Sequence, residues 1–246
     1  MTGDLSGGER DGAWTADEMM TVAAARHLAD REVCFVGIGL PSTAANLARR
    51  THAPDLVLVY ESGTIGAKPA SLPLSIGDGE LAATADTVVS VPEIFNYWLQ
   101  AGRIDVGFLG AAEIDRRADI NTTVIGPYAA PQVRLPGAGG APEIATSCGR
   151  IIVVARQTPR AFVERVAFRT SLGDRVATVI TDLGELRRDD GELVLTRVHP
   201  GVDPGAVVSA TGWDLAVAAD LEETPPPTDE ELAVLRHLDA TRGQAA

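Results

Sequence analysis

The chain is punctuated by short, unbroken apolar runs: Val33-Cys34-Phe35-Val36, Leu56-Val57-Leu58-Val59-Tyr60, Val106-Gly107-Phe108-Leu109, Ile151-Ile152-Val153-Val154-Ala155 and Val176 to Ile180. Runs of this length without polar alternation predict strands buried on both faces, as in a parallel sheet. Between them the period changes to that of helices. Thr15-Ala16-Asp17-Glu18 is a capping box, and Met20, Ala23, Ala24 and Leu28 share one face, which predicts a helix to about Asp30. Pro41 fits the first turn of a second helix carrying Ala44, Ala45, Leu47 and Ala48. Further helices are predicted over Pro92 to Gln100, Pro159 to Val163 and residues 204–210. A second capping box, Thr228-Asp229-Glu230-Glu231, opens a C-terminal helix with Leu232, Leu235 and Leu238 on its face. Thr87-Val88-Val89 and Leu193 to Thr196 predict short strands, the latter after an Asp190-Gly191 hairpin turn. Residues 62–80 are rich in glycine and proline and read as a long loop, packed through Ile65, Leu72, Leu74 and Ile76. Alternating strands and helices predict an α/β fold with a parallel-dominated sheet. One domain is expected over residues 13–240, with a disordered tail at 1–12 and a frayed end at 241–246.

Charge and composition narrow the class. The formal net charge of −13 opposes binding to nucleic acid or anionic membranes, so no partner of either kind is expected, and any cationic cradle must be local or come from a partner. Cys34 and Cys148 are far apart beside apolar runs and read as core residues. With four scattered histidines, no metal spacing is present. No apolar stretch approaches a membrane span and no signal-peptide pattern opens the chain, so a cytoplasmic protein is expected.

Candidate chemistry gathers at strand ends, where open α/β sheets bind ligands. Glu61 closes the second apolar run and is followed by Ser62-Gly63-Thr64-Ile65-Gly66. It is either a reactive carboxylate or a solvated acid just past a strand. Gly37-Ile38-Gly39 precedes the Pro41 helix, as an anion-binding turn or a plain strand–helix connection. Arg134-Leu135-Pro136-Gly137-Ala138-Gly139-Gly140-Ala141-Pro142-Glu143 exposes backbone N–H groups suited to an oxyanion, or is an ordinary flexible turn. His199, in a His-Pro-Gly turn, fits a structural role better than a catalytic one.

Glu61-Ser62-Gly63, Leu74-Ser75-Ile76-Gly77-Asp78, Gly107 to Ala112, Asn121-Thr122-Thr123-Val124-Ile125-Gly126 and Arg134 to Ala141 occur in this order and at these spacings. Together they resemble the β subunit of class I CoA-transferases, of the 3-oxoadipate and glutaconate types. The resemblance runs from about Glu18 to Leu238. It implies a three-layer α/β fold with a mostly parallel sheet, a separate α subunit, and an active site at the junction of the two. It implies transfer of CoA from an acyl-CoA such as succinyl-CoA to a carboxylic acid, 3-oxoadipate first and glutaconate as the alternative. Glu61 matches the catalytic glutamate, and Gly139, Gly140 and Ala141 match the glycine loop beside the reacting carbonyl. Ser62, Gly63, Gly37, Gly39 and Arg134 are expected to contact substrate, and Lys68, Arg103 and Arg134 are candidate cations for a dicarboxylate. No metal or cofactor is expected beyond CoA itself as substrate. The chain departs from the pattern at Arg116-Arg117-Ala118-Asp119, where an aromatic, a glycine and an asparagine are common, and in a short segment between Ser171 and Ile180. The competing readings are a CoA-thioester or ring-opening hydrolase on the same fold, and a non-catalytic effector-binding module. The glutamate counts against the first. The acidity and the lack of a helix-turn-helix before the first strand count against the second.

Overall fold

A computed structural model describes residues 14–242, so the expected tail at 1–12 and most of the expected frayed end lie outside the described residues. In chain order the elements are α1 (Ala16–Arg26), β1 (Val33–Phe35), α2 (Leu40–Arg50), β2 (Val57–Val59), β3 (Thr64–Ile65), α3 (Gly79–Thr84), β4 (Thr87–Val88) and α4 (Val91–Glu93), which runs on as a π-helix over Ile94–Leu99. Then follow β5 (Val106–Gly110), β6 (Glu113–Asp115), β7 (Ile120–Asn121), β8 (Val124–Ile125), β9 (Val133–Arg134), α5 (Ala141–Ser147), β10 (Arg150–Val154) and β11 (Phe162–Val163). The chain closes with β12 (Val176–Ile180), β13 (Gly184–Asp189), β14 (Glu192–Val198), α6 (Pro204–Ser209), β15 (Ala216–Glu223) and α7 (Asp229–Ala240).

Ten strands form one sheet in the order β15-β14-β13-β12-β10-β5-β1-β2-β3-β4. The centre, β12-β10-β5-β1-β2, is parallel throughout. Antiparallel strands β3 and β4 extend one side, and β13 and β14 form a hairpin wing on the other. Each apolar run sends alternate side chains to opposite faces. Leu58, Tyr60, Val106, Phe108 and Ile152 pack under α1, α2 and α7. Phe35, Val59, Leu109, Ile151 and Val153 pack against the π-helix, α5 and α6. Three layers result, as expected. Removing a fully buried side chain such as Leu58 is expected to cost about 2–5 kcal/mol.

Register aligns the functional edge. Phe35 lies beside Val59 on one side and Gly107 on the other, and Val154 pairs with Gly110. The last residues of four parallel strands therefore share the carboxyl end of the sheet. Both capping boxes form, at Thr15 and Thr228. Arg26 bonds Glu231 at 2.6 Å and the Pro225 and Pro226 carbonyls, fixing α7 over α1.

Several expectations are corrected. The first helix stops at Arg26, and Arg31 adopts a left-handed φ of 66° before β1. The stretch read as one loop over 62–80 contains β3 and the start of α3, which Asp78 caps through the Glu80 N–H. The region read as a helix over Pro159 to Val163 is a turn followed by β11, because Phe162 and Val163 pair with β6. β15 has no counterpart among the predicted elements: its Ala, Leu and Glu content favours helix, but its pairing with β14 overrides that preference. Among the described residues no helix is long and apolar enough to cross a membrane.

Candidate active site

Glu61 sits in a tight hairpin turn between β2 and β3. The Tyr60 carbonyl accepts the Gly63 N–H at 3.0 Å, and the Tyr60 N–H donates to the Thr64 carbonyl at 3.0 Å. Gly63 has φ 110°, and a Cβ there would stand 1.9 Å from the Val89 carbonyl oxygen, so the turn requires glycine. The turn sends the Glu61 side chain toward α5. Its Oε1 lies 3.1 Å from the point where a Cβ on Gly140 would be, and Phe95 Cζ lies 2.8 Å from the same point. The bare backbone of Gly140 therefore makes room for both. Phe95 comes from the π-helix, where the Gln100 N–H reaches back five residues to the Phe95 carbonyl at 2.9 Å. Its ring meets Phe35 edge-on at 6.4 Å between centroids.

The glycine loop is held from below. Asn121, fully buried, donates to Glu113 Oε2 and the Val124 carbonyl and accepts the N–H groups of Thr123 and Val124. The next residue, Thr122, bonds Gly137 twice: its carbonyl accepts the Gly137 N–H and its hydroxyl donates to the Gly137 carbonyl, both at 2.9 Å. The Asn121 to Gly126 motif is thus the anchor of the loop. Gly139, at φ 51°, has open space where a side chain would point. Among the described residues none accepts the N–H of Gly139 or Gly140. The Ala141 N–H is taken up by the Ala138 carbonyl at 3.0 Å, so the free donors of the loop on the cavity wall are the N–H groups of Ala138, Gly139 and Gly140.

Glu61, Phe35 and the loop residues 138–141 line one cavity of about 480 Å³ at the carboxyl ends of β1, β5 and β10. Glu61 and Arg156 are its charged residues. The rest of its wall is apolar side chain and glycine, including Phe35, Ile38, Phe108 and Gly140. Ile38, Leu40 and Pro41 bring the start of α2, and with it the positive end of that helix, to the same wall. Among the described residues the Glu61 carboxylate has no hydrogen-bond or ion-pair partner.

The structure brings together Glu61, Gly37, Gly139, Gly140 and Ala141 around this cavity. Gly39 lies one step behind it: its φ of 85° opens α2 and its carbonyl accepts the Thr43 N–H. Ser62 has its Oγ buried without a partner. Gly63 shapes the turn. Arg134 is not on the cavity wall. Its guanidinium bonds the Tyr128 carbonyl at 2.9 Å and lies 4.6 Å from the centroid of that ring. Lys68 is exposed and paired with Asp86 at 2.9 Å, and Arg103 is exposed away from the wall. The cation that does reach the cavity is Arg156, which the sequence reading missed. Its signal was available: like Glu61, it is the first charged residue after a buried strand, here Ile151 to Ala155. Asp17 bonds its Nη2, and Asp182 stands 3.7 Å from Nη1. His199 is buried, its Nε2 2.8 Å from the Thr181 carbonyl and its Nδ1 3.2 Å from Thr224 Oγ1, a structural arrangement. Burial pushes the Cys148 thiol up to about 12 and the Cys34 thiol higher still, which keeps both protonated and inert.

A family model described as coenzyme A transferase matches residues 17–210. The chain belongs to the coenzyme A transferase family. It is 55% identical, over an alignment of 250 residues, to the 3-oxoadipate CoA-transferase β subunit of Pseudomonas knackmussii, covering 95% of this chain and 96% of that protein. The crystal structure of glutaconate coenzyme A-transferase from Acidaminococcus fermentans matches with a TM-score of 0.86 at 27% identity, covering 95% of this chain and 98% of that one. The resemblance to β subunits of the 3-oxoadipate and glutaconate types is borne out. The crystal structure of the decarboxylase AibA/AibB matches nearly as well, with a TM-score of 0.83 at 28% identity over 93% of this chain and 99% of that one. The coenzyme A transferase fold thus hosts more than one reaction, and the reaction of this chain has to be argued from its site.

Proposed function

We propose that the chain is the β subunit of a 3-oxoadipate CoA-transferase, with succinyl-CoA as donor and Glu61 as the nucleophile. The observation that carries this reading is the unpartnered Glu61 carboxylate against Gly140 in a cavity whose only other charged lining residue is Arg156. A carboxylate left free of protein hydrogen bonds keeps its lone pairs available for attack, and a bound substrate would exclude water from it.

One carboxylate oxygen attacks the thioester carbonyl, and the electron pair moves onto the carbonyl oxygen. The N–H groups of Gly139 and Gly140 are free donors placed beside Glu61 for that oxyanion. Collapse breaks the C–S bond, expels CoA thiolate and leaves a glutamyl–succinyl anhydride. The thiolate attacks the glutamyl carbonyl and releases succinate, so that Glu61 carries CoA as a thioester. The carboxylate of 3-oxoadipate then attacks that thioester and displaces the thiolate. The thiolate takes the oxoadipyl group from the new anhydride, which restores the Glu61 carboxylate. Every bond made and broken lies between substrate, CoA and Glu61, so no metal or cofactor enters. Succinate and 3-oxoadipate both carry a second carboxylate remote from the reacting one, and Arg156 is the cation on the cavity wall suited to it.

A separate α subunit completes the enzyme in this reading, as the subunit designation of the 55%-identical relative suggests. Buried free thiols suit the reducing cytoplasm. The deciding experiment incubates the assembled enzyme with succinyl-CoA alone, reduces with borohydride, and maps the product by peptide mass spectrometry. Reduction at Glu61 is expected. Modification of another residue, or hydrolysis without a trapped thioester, would replace the transferase reading with a hydrolase on the same fold.

A further inference from the structure

The Arg116-Arg117-Ala118-Asp119 departure forms the turn between β6 and β7, outside the Glu61 cavity. Ala118 holds a left-handed φ of 67°, a conformation that suits glycine. Gly173 packs so closely on this turn that a Cβ would stand 2.4 Å from the Arg117 carbonyl oxygen. Beside the turn opens a polar recess of about 640 Å³, to which β11 and the residues after it contribute Glu164, Arg165 and Arg169.

Arg116, Arg117, Arg165 and Arg169 share the wall of this recess with Asp115, Asp119 and Glu164, and not every guanidinium is paired. Asp115 spends its carboxylate on three backbone N–H groups, those of Arg117, Asp119 and Val166. Asp119 is divided between the Gly173 N–H and Arg169. Arg116 holds Glu192 at 2.6 Å through Nη2 and reaches Glu164 only at 4.0 Å, and its Nε is buried with no hydrogen-bond partner. Arg117 and Arg165, both exposed, have no ion-pair partner among the described residues. Two guanidinium groups and a buried N–H thus have no partner among the described residues, and the one carboxylate of the wall without a shorter contact is Glu164, 4.0 Å from Arg116. Arginine forks match carboxylate and phosphate geometry alike, and several together favour the more highly charged phosphate.

We propose that this recess binds a phosphate group through Arg116, Arg117 and Arg165. The phosphate has two possible sources: the 3′-phospho-ADP end of CoA, or a free phosphate ion. The first source rests on the transferase reading. The recess abuts the β13–β14 hairpin, at the opposite end of the sheet from the cavity, and Arg116 follows the cavity residue Gly110 by six residues, at most about 22 Å of chain, a span that an extended CoA would have to cover along the protein surface.

The test uses the assembled enzyme with and without the double substitution Arg117→Gln, Arg165→Gln. Both side chains are exposed and unpaired, so folding is expected to survive. Inorganic phosphate binding is measured by calorimetry, and KM is measured for succinyl-CoA and for its 3′-dephospho analogue. If CoA supplies the phosphate, KM for succinyl-CoA rises roughly 10-fold or more in the variant, on the scale of charged hydrogen bonds, while KM for the dephospho analogue does not move. If the source is free phosphate, the calorimetric signal disappears in the variant and both KM values stay put. Unchanged phosphate binding together with an unchanged KM ratio overturns the proposal. An enzyme that proves inactive as a transferase still reports through calorimetry, so failure of the transferase reading is distinguishable from failure of this one.

Discussion

Glu61 and Glu185 lie in two regions of one sheet that treat a carboxylate in opposite ways. Glu61 stands at the carboxyl edge of the parallel strands with no partner among the described residues and a glycine backbone beside it. Glu185 lies in the antiparallel wing, 2% exposed at its side chain, with His27 Nε2 at 2.8 Å and Arg197 Nη1 at 3.9 Å from its Oε2. An ion buried without partners destabilises a fold, whereas a partnered one can hold it together. The wing therefore uses its glutamate to tie the β13 strand to the end of α1. The parallel edge keeps its glutamate half-buried and unpaired, a state that suits attack on a carbonyl.

Breaking the reactive side of this comparison has the largest expected effect. Glu61→Gln keeps size and polarity but removes the nucleophile, so kcat should fall by roughly 10⁴-fold or more. Co-purification with the α subunit and an unchanged melting temperature would show that only chemistry is lost. Sustained transfer would remove Glu61 from the mechanism. Next in size is Gly140→Val. Its Cβ would press on Phe95 Cζ at 2.8 Å and Glu61 Oε1 at 3.1 Å, displacing the carboxylate and one oxyanion donor together. A fall in kcat of roughly 10²-fold or more is expected, the scale of one such donor. Gly139→Ala meets no atom within 4 Å, but its φ of 51° strains an alanine there, so a smaller loss than that of Gly140→Val is expected from backbone strain alone.

The same two regions show what the sequence could reveal. Unbroken apolar runs announced the parallel strands because burial on both faces leaves no room for polar alternation. Glu61 and Arg156 follow such runs and were equally legible, although only Glu61 was singled out. The meeting of Glu61 with Gly139 and Gly140 joins parts of the chain nearly eighty residues apart. It was accessible through the family resemblance and not through local pattern. Elements made by pairing alone escaped. β11 exists because β6 lies beside it, and β15 because β14 does, and neither reads as a strand locally. Glu185 carried no signal at all, because its partner His27 lies 158 residues away.

Arg156 gives the next prediction. Arg156→Gln removes a cation that two carboxylates hold at the cavity rim. If it receives the remote carboxylate of the substrate, KM for 3-oxoadipate should rise roughly 10- to 100-fold, the range for a charged hydrogen bond. The preference for dicarboxylic over monocarboxylic acceptors of similar length should collapse with it. Equal losses for both acceptor types would mean that Arg156 only supports the cavity wall.

The smallest effect sharpens the other half of the comparison. Burial works to raise the pKa of Glu185, but the hydrogen bond and charge of His27, with the charges of Arg197 and His199, outweigh it and leave the carboxyl below its usual range. A carboxyl whose folded pKa is lowered contributes stability above its unfolded pKa, about 4.3 for glutamate, and loses that contribution as pH falls through the folded value. Glu185→Gln should therefore cost roughly 1–2 kcal/mol at pH 7, since the amide retains one hydrogen bond but no charge. Urea titrations of both proteins at pH 7, 5, 4 and 3 should show this gap intact at pH 5 and closing below about pH 4. A gap for Glu185→Gln that persisted unchanged to pH 3 would mean that its neighbours hold the side chain by shape and hydrogen bonding rather than by charge.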